Sequence, residues 1–143
     1  MQKMPPIIKI LEAYTAIEDD RVAIYENYAI VKSSNRDKEY LIKWKDNIYY
    51  SNDNSTYWQG YIGYPVIAVL MLKDMLSLDR SISKYFKSIN WNKLNSVNKR
   101  NYDKSLEEVL SNISTKDEVI KEINKVLKEI KKLDINLTRK KDL

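Results

Sequence analysis

The chain of 143 residues contains no cysteine and no histidine. The first absence excludes disulfides and thiolate nucleophiles. The second excludes an imidazole general base, and with it a Ser-His-Asp triad. Together they exclude a tetrahedral zinc site of Cys and His ligands. A metal here would need carboxylates and would be Mg²⁺ or Ca²⁺. Glycine is scarce as well: Gly60 and Gly63 are the two in the chain, too few for a glycine-rich phosphate loop. Long apolar runs are missing. The most apolar one, Tyr64 to Leu72, is too short for a membrane span, and Lys73 and Asp74 close it. The N-terminal MQKMPPIIKILEAY pairs a short apolar patch with an early acid, which does not read as a signal peptide. The expected compartment is the cytoplasm.

What is present describes a folded chain. Hydrophobic residues make up 43% and charged residues 31%, which argues against global disorder. The length fits one domain with an appended helical part. The net charge of +5 is unevenly spread. Residues 1–76 hold nine Lys/Arg and ten Asp/Glu; residues 77–143 hold sixteen and ten. The C-terminal half is therefore the basic one. Such a half can attract phosphate backbones by counterion release. It can equally be a lysine-rich solvated face, since the tail Arg139-Lys140-Lys141 is the one dense run.

In chain order, Pro5-Pro6 open a first helix whose face carries Ile7, Ile8, Leu11 and Tyr14, ending between Thr15 and Asp19. Four strands are expected next. RVAIYE and YAIVKSS are joined by a turn at Asn27. EYLIKWK sets Tyr40, Ile42 and Trp44 against Leu41, Lys43 and Lys45. Asp46-Asn47 is a hairpin turn into IYYSN. An aromatic loop then leads to Pro65 and VIAVLMLKDML, a helix apolar nearly all round and therefore central to the core. Short helices are expected around Ile82–Ile89, Leu94–Val97 and Tyr102–Ile113. Thr115 with Glu118 reads as a capping box starting the longest helix, which runs to Asp134 or Leu137. Its apolar stripe of Ile120, Ile123, Leu127 and Ile130, flanked by Val119, Val126 and Leu133, packs on the domain or on a partner helix. Thr138–Leu143 reads as a loose charged tail. The fold class is α+β: an N-terminal helix, a small antiparallel meander with a buried helix, and a helical extension.

The stretch KEYLIKWKDNIYYSNDNSTYWQGYIGYPVIAVLMLK resembles the SWIM zinc-finger family, whose members read like KEYxVxxxGxxYxCxCPDFxxRGxxCKHIxAVLLxK. ENYAIVKSSNRD is similar to the preceding strand of small archaeal SWIM proteins. The resemblance covers about residues 7–76 and implies a ββα frame. In that alignment the four zinc-ligand positions hold Tyr50, Asn52, Gly63 and Pro65, so the resemblance implies a degenerate, metal-free finger with no cofactor. The six aromatics from Tyr49 to Tyr64 then either replace the ion as core or form stacking faces. The expected organisation is a SWIM-like module over 1–76 and a basic helical extension over 77–143.

The family prior and the charge point to a non-enzymatic nucleic-acid-binding accessory module, with DNA the expected ligand. Trp58, Tyr57 and Tyr61 are candidate stacking residues. Lys84, Lys87, Lys93, Lys99, Arg100 and Lys104 are candidate phosphate contacts. The alternative is a protein-interaction subunit whose partner binds the helix over 115–137. No paired carboxylates at a readable spacing support an enzyme: Asp19-Asp20 are adjacent at a helix end, and Asp53 stands alone in a loop.

Overall fold

The computed structural model describes residues 3–143 and is an α+β fold. Helix α1 (Ile8–Glu18) follows the two prolines. It leads into strands β1 (Val22–Ile24), β2 (Tyr28–Lys32), β3 (Glu39–Lys45) and β4 (Ile48–Ser51). These four form an antiparallel meander in sequence order. Val31 pairs Tyr40, Ala29 pairs Ile42, Ile42 pairs Ser51 and Trp44 pairs Tyr49. Directly paired residues share a face, so Tyr40, Ile42 and Trp44 lie on the core side as their alternation predicts.

That face is covered by α2 (Tyr64–Leu72), whose residues Pro65–Met71 are all buried, and α1 packs against α2. Helix α1 has a second neighbour on its other flank. There α3 (Arg80–Ser83) and a short 3₁₀ turn (Lys84–Phe86) bring Phe86 to within 5.5 Å of the Tyr14 ring. Thr15 Oγ1 donates to the Phe86 carbonyl at 2.6 Å and accepts from Trp91 Nε1 at 2.9 Å. Helices α4 (Trp91–Val97), α5 (Tyr102–Ser111) and α6 (Lys116–Lys131) complete the shell. Asn90 and Asn101 cap α4 and α5 by accepting from the Lys93 and Lys104 N–H groups.

Three expectations for the C-terminal part need correction. The stripe of α6 that enters the core is Val119, Ile123, Val126 and Ile130, while Ile120 is exposed. Thr115 forms no capping bond; its hydroxyl is buried without a partner. The helix ends at Lys131, short of the expected Asp134 or Leu137, and a strand, β5 (Asn136–Thr138), running parallel to β4, takes the place of its expected end and reaches the first residue of the expected tail. Ile135 is buried just before β5, and the Asn136 N–H donates to the Asn47 carbonyl at 2.8 Å. The chain end thereby becomes the fifth strand of the sheet.

With two glycines available, left-handed turn positions fall to other residues. Asp20, Asp46, Asp74 and Ser88 each adopt positive φ, as do Lys99 and Arg100 in succession. Aspartate tolerates this region because its short polar side chain bonds locally.

Candidate binding surface

The loop from Asn52 to Gly63 is held by a buried polar node. Asp53 is 5% exposed. Its carboxylate accepts from the Ser51 hydroxyl and, at 3.1 Å, from the Thr56 N–H. Thr56 Oγ1 in turn accepts from the Gly63 N–H at 2.9 Å. A buried carboxylate is tolerable only with such bonds. Gly63 is required by space, because a Cβ there would meet Asp53 Cγ at 2.9 Å and Ser55 Cβ at 3.1 Å. Between the two ends of this clamp the chain makes a single π-helical turn (Ser55–Gln59) closed by Gly60 at φ 77°.

The turn projects Trp58 outward, 64% exposed. Tyr57 stands edge-on to it, ring centroids 4.8 Å apart at 70°. Arg139, one residue past β5, donates from Nε to the Tyr57 carbonyl at 2.8 Å. Its guanidinium lies 5.6 Å from the Tyr57 ring and 5.3 Å from the Trp58 ring. Beside Trp58 opens a groove of about 470 Å³ lined by Lys38, Glu39, Tyr40, Asn52 and Asn54. An exposed indole, a guanidinium held against it, one lysine offset by one glutamate, and two amides form a site suited to a flat, polar ligand, with Arg139 as the surplus positive charge.

The aromatics of the loop therefore divide. Tyr49 and Tyr50 are buried, Tyr57, Tyr61 and Tyr64 are half-buried, and Trp58 is the exposed one. The six predicted phosphate contacts are all exposed, but none of them lines the Trp58 groove. Lys87 lies close enough to Glu18 to lower its pKa, alongside the bonds from Ser83 and Arg80 that outweigh burial there. Lys93 lines a separate polar groove with Asp19, Ser34 and Asn35. Lys99 and Arg100 form the tip of the α4–α5 turn. Arg139 and Lys38 were missed. The signal for Arg139 was the dense tail itself, which carries no local pattern announcing a strand before it.

A larger groove lies elsewhere, between α3 and α6, with a volume of about 590 Å³; Asp79, Glu118, Glu122 and Glu129 share its walls with Lys121, Lys125, Lys128 and Lys132. Asp79 caps α3 by accepting from Ser81, and Glu129 accepts from the Ser77 N–H and hydroxyl. Glu122 is raised by burial and leaves Oε2 without a partner, as does the buried hydroxyl of Tyr14. Among the described residues no three His, Cys, Asp or Glu side chains gather in a metal-binding group. None of the described helices is long and apolar enough to cross a membrane.

The profile of the family described as Uncharacterised conserved protein UCP014422 matches residues 2–136. The chain belongs to this family. No curated protein and no solved structure matches it. The match corrects the SWIM resemblance: the family is a different one, and it runs across both halves of the chain where the resemblance stopped at 76. The four supposed ligand positions have their own work. Tyr50 sets its buried ring edge-on to Tyr57, 6.5 Å between centroids. Asn52 Oδ1 accepts from the Leu41 N–H, Gly63 abuts Asp53, and Pro65 is buried in the first turn of α2. Residues that pack and pair in this way are parts of the loop's own clamp and need no lost metal to explain them.

Proposed function

We propose that this protein is a non-enzymatic nucleic-acid-binding accessory module that holds a single strand by stacking a base on Trp58. The observation that carries this reading is the 64% exposure of Trp58 beside a guanidinium anchored by a backbone hydrogen bond. A base stacked on an aromatic ring contributes about 1–3 kcal/mol. Arg139 and Lys38 supply phosphate contacts on either side, and Asn52 and Asn54 offer amides to base edges. The net charge of +5 adds a weak general attraction. DNA or RNA in the cytoplasm would be the ligand. The groove between α3 and α6 supports catalysis less well, because two of its four acids, Asp79 and Glu129, are engaged as cap and bond acceptor and four lysines line it beside them.

The test is fluorescence anisotropy with a labelled single-stranded oligonucleotide across a salt series. The expected result is binding that weakens steeply with salt, and a loss of roughly tenfold in Trp58→Ala. Absence of binding at low salt overturns the reading and moves the search to a protein partner.

A further inference from the structure

Arg21 is buried, 5% exposed, at the end of the α1–β1 turn. Its Nη1 donates to the Lys32 carbonyl at 2.9 Å and to the Tyr64 hydroxyl at 3.4 Å, both neutral partners. Its Nε is buried with no partner at all. Among the described residues it forms no ion pair. Glu12 is near enough to feel its charge, but Glu12 is already paired with Lys9 at 3.2 Å. The Tyr64 ring lies 5.7 Å from its guanidinium, and Arg21 and Lys9 share the single Glu12 carboxylate, so the buried guanidinium is short of counter-charge, which is costly. A water molecule could accept from Nε but would leave the charge uncompensated.

Arg21 lines an enclosed cavity of about 70 Å³, together with Glu12, Tyr40, Tyr64, Ser34 and Asn92. One water needs roughly 10–15 Å³ by this kind of measure, so the space suits a polyatomic ion better than a lone water. Ser34 and Asn92 are exposed, and Asn92 Nδ2 donates to Ser34 Oγ at 3.0 Å. They form the mouth, closed by one solvent-exposed hydrogen bond that is easily broken. Tyr40 lines both this cavity and the Trp58 groove.

We propose that the Arg21 cavity is a binding site for a phosphate-type oxyanion, entered past the Asn92–Ser34 hydrogen bond. Arg21 provides the charge and Tyr64 a hydroxyl beside it. Burial pushes the Glu12 pKa up against the pull of Lys9 and Arg21, and its carboxylate stays turned to the Lys9 ammonium at 3.2 Å. The phosphate can arrive free, or as the terminal phosphate of a strand lying past Tyr40 on Trp58; the second source rests on the nucleic-acid reading above.

Thermal unfolding in inorganic phosphate, against chloride at equal ionic strength, tests the site without any nucleic acid. Millimolar phosphate is expected to raise the Tm by about 3 °C. Arg21→Gln should abolish the increment. Asn92→Trp, which plugs the mouth from an exposed position, should abolish the increment measured against the variant's own Tm in chloride. Oligonucleotides with phosphorylated and hydroxyl ends distinguish the sources. A tenfold preference for a phosphorylated end, lost in Asn92→Trp, assigns the terminal phosphate; a Tm response with no end preference assigns the free ion. No Tm response and no end preference overturn the site. Because the first arm uses phosphate alone, it decides the matter even if no oligonucleotide binds.

Discussion

The two sides of the loop over 52–63 differ in nearly every physical respect. One side is the buried node of Ser51, Asp53, Thr56 and Gly63, where every polar atom in the chain of bonds has a named partner. The other is the exposed face of Tyr57, Trp58 and Arg139, where aromatic area is left in solvent. The first stabilises the fold and can touch nothing outside it. The second contributes little to the fold. Together they are what a preorganised binding loop requires: a rigid base, so that little entropy is lost on association, and a projecting side chain with no competing internal contact.

The sharpest way to break this comparison is Gly63→Ala. The new methyl would collide with Asp53 Cγ, 2.9 Å away, and with Ser55 Cβ. One methyl group should therefore cost about 3 kcal/mol, at the upper end of ordinary overpacking. Urea denaturation would measure it. A loss below about 1 kcal/mol would mean that the node yields easily and is no rigid base. Asp53→Ala should follow at about 2 kcal/mol, because the Thr56 N–H and Ser51 hydroxyl stay buried with nothing to accept their protons. The same measurement on Trp58→Ala supplies the contrast: a change within about 0.5 kcal/mol, as for an exposed residue away from any packing role. If Trp58→Ala unfolded the protein as readily as Asp53→Ala, the division of the loop into two faces would fail.

Much of the fold was legible because its signals are local. Alternation placed Tyr40, Ile42 and Trp44 on the core face, and the unbroken apolar run from Val66 to Met71 marked α2 as central. The strand β5 was not legible. Asn136, Leu137 and Thr138 have no alternation long enough to read, and their partners on β4 lie far away in sequence. Thr115 and Glu118 matched a capping box by type and spacing, yet the bonds do not form, since spacing cannot fix a hydroxyl rotor or a helix's first turn. The SWIM resemblance failed for a related reason. KEY, a strand, a turn and IAVLMLK are the apolar periodicities of any ββα unit, and without ligands they carry no family information. The candidate surface was half legible: Trp58 could be named, while Arg139 depended on the unseen strand that carries it there.

Arg139 offers the finest cut between the two faces, and its expected effects are the smallest. It is exposed, and its hydrogen bond to the Tyr57 carbonyl comes from just past β5, the strand paired with β4. An exposed bond of this kind adds little to stability, so Arg139→Ala should shift the unfolding free energy by no more than about 0.5 kcal/mol. If Arg139 contacts a phosphate, the same substitution should weaken oligonucleotide binding similarly for all sequences. It should also make the slope of log affinity against log salt shallower by about 1. Arg139→Lys should restore the slope, since the charge is retained, but not all of the affinity, because an ammonium cannot stack on Tyr57 and Trp58 as a planar guanidinium does. A salt slope unchanged in Arg139→Ala, together with a stability loss above about 1 kcal/mol, would place Arg139 with the node. The exposed face would then be part of the scaffold, and Trp58 alone would remain as the binding element.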